Sequence, residues 1–210
     1  MDALLNVQRN EASRMILKAV DEGMDIKDIY IHVFESSQHE IGRLWQTNKI
    51  TVAQEHFCTA ATQMIMSQLY PYIFRTDNNG HRLVAACAAG EMHEMGVRMV
   101  ADIFEMEGWD TYYLGANTPN DSITQTIIDL KPDIVALSAS IHYNLGAVKD
   151  LIKLIRNTPD ISNIKIMVGG RPFLLAPELW KKIGADGCPT NAIEALSLAD
   201  ELISTQKQVE

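Results

Sequence analysis

Three groups of residues in this chain have the types and spacing to do chemistry. The first is Glu91-Met92-His93, inside the stretch Leu83–Gly96, LVAACAAGEMHEMG. Side chains two apart on an extended chain project to the same side, so Glu91 and His93 are expected together. A neutral imidazole is the commonest metal ligand, and a carboxylate beside it fixes its tautomer and raises its basicity. His93 is thus a candidate metal ligand and Glu91 its support, with Gly96 in the first turn of a following helix. The second group is small and polar: Leu114-Gly115-Ala116-Asn117, Ser138-Ala139-Ser140 and Gly169-Gly170. Ser138 and Ser140 offer hydroxyls, and Gly169–Gly170 lets a ligand approach the backbone. The third group lies upstream, where nine residues separate Trp45 from Glu55-His56. Taken singly, each has a plainer explanation, such as a loop histidine, serine turns or a core tryptophan.

The elements that must position these residues change character along the chain. Residues 1 to about 75 read as helix. Leu4, Leu5, Met15, Ile16, Ala19 and Val20 give a first apolar stripe that ends at Gly23. A second helical region covers Ile26–Phe34 and Ile41–Trp45, with a break expected near Ser36–Ser37. Thr51 can cap a third helix running to Pro71–Phe74, with Phe57, Ala60, Ala61, Met64, Ile65 and Leu69 as its core face. Glu55 would share a different face with Thr59, Thr62 and Met66, a combination suited to facing a ligand. This predicts a helical bundle over 1–76, a polar linker TDNNG, and a second domain over 81–210.

In the second domain, apolar strands at Leu83–Ala89, Asp110–Leu114, Ile134–Leu137, Ile164–Val168 and Ala185–Cys188 alternate with helical segments. That alternation predicts an α/β fold, a flavodoxin-like, Rossmann-like doubly wound parallel sheet of five strands. The Glu91–His93, Gly115–Asn117, Ser138–Ser140, Gly169–Gly170 and Cys188–Thr190 loops would all follow strands and share one edge of the sheet. Together they describe a cleft for an elongated ligand.

Composition narrows the partners. The chain has 210 residues, 47% of them hydrophobic, and a formal charge of −9. The acidic balance argues against direct, nonspecific nucleic-acid binding and against a basic membrane surface as partner. No apolar run approaches a membrane span. Three separated cysteines suit buried thiols in a cytoplasmic protein better than disulfides or a metal knuckle.

The combination GEMHEMG, LGAN, LSAS and VGG resembles the cobalamin (B12)-binding domain family. The family pattern is Asp-x-His-x-x-Gly, then Ser-x-Leu or Ser-x-Thr, then Gly-Gly. The resemblance implies that His93 is the lower axial ligand of cobalt and that Gly96 leaves room beneath the corrin. It also implies that Ser138, Gly169 and Gly170 line the tunnel for the displaced nucleotide tail, with Ser140, Leu114 and Gly115 nearby. The helical bundle would be the cap that covers the upper corrin face in methionine synthase-like members. Glu91 stands where the family has Asp, so its extra methylene must fold back to reach the imidazole.

The spacing of Trp45 and Glu55-His56 resembles the Trp-x9-Glu-His signature of light-sensing adenosylcobalamin domains, in which these residues pack around the adenosyl group. Gln46 replaces the His that follows the Trp in some of those sensors, and no helix-turn-helix is expected ahead of the bundle. The reading that follows is a non-enzymatic, adenosylcobalamin-dependent light-responsive regulator acting through a protein partner or its own assembly. Methylcobalamin is the second candidate cofactor, with the chain as a corrinoid protein shuttling methyl groups between methyltransferases. A third reading is a module that stores cobalamin or senses its level in the dark. A mutase would need a barrel of about 250 residues. A receiver domain would need an Asp at the position of Ser138.

Overall fold

The structure, a computed structural model, describes residues 1–74 and 76–207, with side chains to residue 205. The chain divides into two compact units, Met1–Arg75 and Thr76–Glu210.

The first unit is helical: α1 (Asp2–Leu5), α2 (Arg9–Asp21), α3 (Ile26–Asp28), α4 (Ser36–Gln46), α5 (Val52–Gln68) and α6 (Tyr70–Ile73). The single first helix expected from the apolar stripe is instead α1 and α2. The chain turns between them at Val7, whose φ of 61° no helix accommodates. Met15 is exposed rather than in the core. No break occurs at Ser36–Ser37. A π-helical stretch, Ile29–Glu35, joins α3 to α4 without interruption. Its i→i+5 bonding suits the five-residue spacing of Ile29 and Phe34, both buried. Phe34 also meets Tyr30 edge-on, with ring centroids 5.2 Å apart.

Helix α5 begins at Thr51 through a reciprocal capping box with Gln54. Its buried face is Cys58, Ala61, Thr62, Ile65 and Met66, continuing to Leu69. Ala60 is exposed and Phe57 only half-buried, so the expected core face is rotated. The helix is apolar around most of its circumference, and periodicity alone cannot choose among its faces. Thr62 and Met66, expected to face a ligand, are inside the unit.

Among the described residues the second unit carries four parallel strands, β1 (Arg82–Cys87), β2 (Asp110–Gly115), β3 (Ile134–Ser138) and β4 (Lys165–Gly169), in the order β2-β1-β3-β4. Helices α7 (Met95–Met106), α8 (Asn120–Leu130), α9 (Leu145–Asn157), α10 (Arg171–Leu175), α11 (Leu179–Ile183) and α12 (Ala192–Lys207) complete it. Alternate strand residues serve two cores. Val84, Ala86, Val135, Leu137, Ile166 and Val168 pack with Ile123, Ile127, Leu151 and Ile155 of α8 and α9. Leu83, Ala85, Ile134, Ala136 and Met167 pack with Val97, Phe104, Ala195 and Ala199 of α7 and α12. Both faces of the central strands are covered, which is why β1 and β3 read as unbroken apolar runs, whereas β2 at the edge is half-buried throughout.

The expected fifth strand at Ala185–Cys188 is reduced to one parallel bridge between Met167 and Gly187. Asp186 explains the shortfall. Its carboxylate accepts from the Ile166 backbone N–H (2.7 Å) and from Arg156 (2.6 Å), so a side chain takes the place of a ladder bond. The segment anchors the sheet edge without becoming a strand.

Candidate functional site

In the order β2-β1-β3-β4 the winding of successive strands changes side between β1 and β3, and open α/β sheets bind ligands at that point, beyond the carboxyl ends of the strands. Glu91 and His93 lie just past β1, and Ser138–Ser140 lie at and just past the end of β3. Register places Cys87 opposite Ser138, and Ser138 opposite Gly169, so the three strand ends are level.

Glu91 is fully buried and His93 is half exposed. One carboxylate oxygen of Glu91, Oε1, lies 2.5 Å from His93 Nδ1 and also accepts from the His93 backbone N–H at 2.9 Å. The other, Oε2, accepts from the Ser140 backbone N–H at 2.7 Å and from Asn144 Nδ2 at 2.9 Å. The longer side chain of Glu91 therefore reaches the imidazole and crosses to the β3 loop as well. The contact does not arise from a straight extended segment. Glu94 N donates to Met92 O at 3.1 Å, a three-residue turn centred on His93.

Burial alone would raise the Glu91 pKa. The hydrogen bonds from the His93 ring, Asn144, and the His93 and Ser140 backbones outweigh it and hold the group at about 2. An ionised carboxylate only accepts, so Nδ1 carries the proton and Nε2 is the nitrogen with ligand character. Cys87 beneath the loop offers no competing ligand. Burial, then the Glu91 and Glu94 carboxylates, push its thiol to about 12. Among the described residues, no three His, Cys, Asp or Glu side chains converge where they could hold an ion. The donor set is a single imidazole, which suits a metal whose other ligands arrive with a cofactor.

The small residues divide into two kinds. A Cβ at Gly96 or Gly169 would meet nothing within 4 Å, so both leave open space. Gly170 has φ 110°, and a Cβ there would overlap the Ala139 carbonyl, so its smallness serves the packing of the β4 loop on the β3 loop. Ser138 is buried, and Ser140 contributes its backbone N–H to Glu91. Gly115 lies against a Glu94 carboxylate oxygen, and Leu114 packs on the core beside α8. Asn144 is a participant that sequence reasoning missed. It lies six residues beyond Ser138, after an irregular loop, and no motif spacing marks it.

Trp45, Glu55 and His56 belong to the first unit. Trp45 is partly exposed at the end of α4. Glu55 Oε2 lies 2.5 Å from His56 Nδ1, and Oε1 accepts from Thr59 at 2.9 Å. Gln38 continues this chain, lying 3.1 Å from Thr59 and donating to Thr62 at 2.8 Å. Two open grooves, of about 730 and 460 Å³, also lie in this unit, along α2 and α5, and neither includes Trp45 or the Glu55–His56 pair.

A family model described as a B12 binding domain matches residues 81–197, and a second of the same description matches residues 1–70. The chain belongs to the B12-binding domain family. Among relatives of this B12-binding chain, dimethylamine corrinoid protein 1 of Methanosarcina acetivorans is 26% identical over 208 residues, covering 96% of this chain and 94% of that protein. Monomethylamine corrinoid protein 1 of the same organism is 25% identical, covering 89% and 88%. The structure of the Methanosarcina barkeri monomethylamine corrinoid protein superposes with a TM-score of 0.84 at 22% identity, over 96% of this chain and 95% of that one. At 17% identity and a TM-score of 0.54, the methanol:cobalamin methyltransferase complex of Methanosarcina barkeri is also similar, over 97% and 77%. These similarities support the Rossmann-like fold. Cobalamin binding follows from the family.

Proposed function

We propose that this B12-binding protein is a corrinoid carrier that receives a methyl group from one methyltransferase and presents it to another. The observation that carries the reading is the Glu91–His93 pair at the change of winding between β1 and β3, in a chain that matches methylamine corrinoid proteins over nearly its whole length. A bound corrinoid would supply a cobalt centre that accepts and gives up an alkyl group. His93 Nε2 is the atom that would hold the cobalt. Glu91 orients the ring and keeps the proton on Nδ1, while Asn144 and the Ser140 N–H keep Glu91 in place. Gly96 and Gly169 leave open space, and Ser138 and Gly169 would line the path of the cofactor's tail. Trp45, Glu55 and His56 are the candidates in the first unit for cofactor contact, and the protein partner is a methyltransferase.

The spacing of Trp45 and Glu55-His56 favours a second reading, the adenosylcobalamin light sensor. The names of the relatives above weigh toward the carrier. Dark affinities for methylcobalamin and adenosylcobalamin, followed by particle size across a green-light step, separate the two. A carrier binds methylcobalamin at least as tightly and keeps its size on illumination. Strong preference for adenosylcobalamin together with a light-driven change of assembly would overturn the carrier reading.

A further inference from the structure

The segment that bears His93 is gripped from two sides, and only one grip is explained by Glu91. Glu94, next to His93, turns to the opposite neighbour of β1. Its Oε2 accepts from the Tyr113 hydroxyl at 2.7 Å and from the Ala116 backbone N–H at 2.9 Å. Tyr113 is on β2 and Ala116 just beyond it, whereas the Glu91 carboxylate bonds to residues beyond β3. The turn from Glu91 to Glu94 is thus bracketed by two carboxylates that diverge across the sheet edge.

The local backbone is shaped for this second grip. Between Ala85 and Ala86 the β1–β2 register shifts, pairing Ala85 with Tyr113 and Ala86 with Gly115, so Leu114 is an extra residue in β2. Such bulges re-aim side chains near sites. Gly115 then takes φ 79°, and a Cβ there would come within 3.3 Å of Glu94 Oε2. A side chain at 115 would therefore crowd the carboxylate. The Leu-Gly-Ala stretch, which reads in sequence as a cofactor contact, also receives Glu94.

We propose that Glu94, held by Tyr113 and the Ala116 N–H, is a positioning residue that sets the reach of His93 toward the cobalt. The inference rests on the reading of His93 as lower ligand. Glu91 fixes the rotation and tautomer of the ring; Glu94 fixes the height of the turn that carries it. Asn117 also ties the start of the turn to the β2 loop, its N–H donating to Glu91 O and its Oδ1 accepting from the Gly90 N–H, both at 2.8 Å. Without Glu94, the end of the turn beside His93 loses its own hold on β2 and can tip, which lengthens or breaks the metal–imidazole bond while leaving the ring's proton in place. Outer-shell partners of metal ligands typically contribute about 10- to 100-fold in affinity, and one acting through the backbone belongs near the lower figure.

The test uses the full-length protein carrying 15N-labelled histidine, loaded with cobalamin and reduced to the Co(II) state, in which an axial histidine nitrogen splits the electron paramagnetic resonance lines into 15N doublets that the cofactor's own 14N base cannot give. Wild type should show the nitrogen splitting, and His93→Ala should lack it. Glu94→Ala should lose the splitting in a large fraction of the molecules and bind cobalamin about tenfold more weakly. Tyr113→Phe, which keeps the ring and removes one donor, should show a smaller loss. Glu94→Gln retains an oxygen acceptor and should restore the wild-type spectrum. An unchanged spectrum in Glu94→Ala, even with a lowered melting temperature, would overturn the inference while leaving His93 as ligand. Equal loss in the Gln and Ala variants would overturn the hydrogen-bond account. If wild type and His93→Ala give the same spectrum, the ligand assignment itself fails, and this inference with it.

Discussion

Asn144 Nδ2 lies 2.9 Å from Glu91 Oε2, with both side chains buried. The amide closes a path from the loop after β3, through the carboxylate, to the ring of His93. An amide donates whatever the charge state of its neighbour, so it steadies Glu91 as an anion.

Asn144→Ala should destabilise the cobalamin-free protein by about 1.5–3 kcal/mol, the usual worth of a hydrogen bond to a buried charge. It should also weaken cobalamin retention, since Glu91 keeps a single donor on Oε2. Urea melts and equilibrium dialysis on the same preparation measure both. Asn144→Asp should be worse, because it sets a second carboxylate against the first. An Asp variant as stable as Ala at neutral pH would contradict that.

His93→Ala should abolish the axial-nitrogen signature, whereas Glu91→Gln should only weaken it. The amide can still contact the ring but no longer draws the proton to Nδ1 by charge. Glu91→Gln is expected to cost about 10- to 100-fold in cobalamin affinity. Competition with a free corrinoid-binding protein would measure the ratio.

Acid stability reports on Glu91 directly. Its folded-state value of about 2 lies below the ordinary 4.5, so the ionised form favours the folded chain. That contribution is complete above about pH 4.5 and is lost as the pH falls toward 2. Linkage puts it at about 3 kcal/mol. In cobalamin-free protein, Glu91→Gln should flatten the fall of unfolding free energy across that window. Parallel curves for wild type and variant would show that other carboxylates dominate.

Gly169 and Gly170 should respond differently to the same substitution. Gly170→Ala forces a side chain onto the Ala139 carbonyl at a φ of 110° and should cost more than about 2 kcal/mol. Gly169→Ala meets open space and should stay within about 0.5 kcal/mol of wild type. Its cobalamin affinity should nevertheless fall, if the nucleotide tail passes there. Thermal melts with and without cobalamin separate the two effects.

The sequence by itself determined the alternation of strand and helix in the second unit, because strands covered on both faces must be continuously apolar and are easily recognised. It also placed Glu91, His93, Ser138 and Gly169–Gly170 at strand ends, which, in a parallel sheet, lie at one edge. In the helical unit, Thr51 marked the start of α5 by its own cap chemistry. Faces and registers were decided only by tertiary contacts. An all-round apolar α5 could bury several different stripes, and packing chose Cys58, Ala61, Thr62, Ile65 and Met66. The Ala185–Cys188 segment has the composition of a strand, but Asp186 and Arg156 satisfy its neighbours with side chains instead. Asn144 and Tyr113 join the site from 53 and 19 residues away from their carboxylate partners. Such contacts depend on which strands are neighbours and on one extra residue in β2, and neither leaves a local mark in the chain.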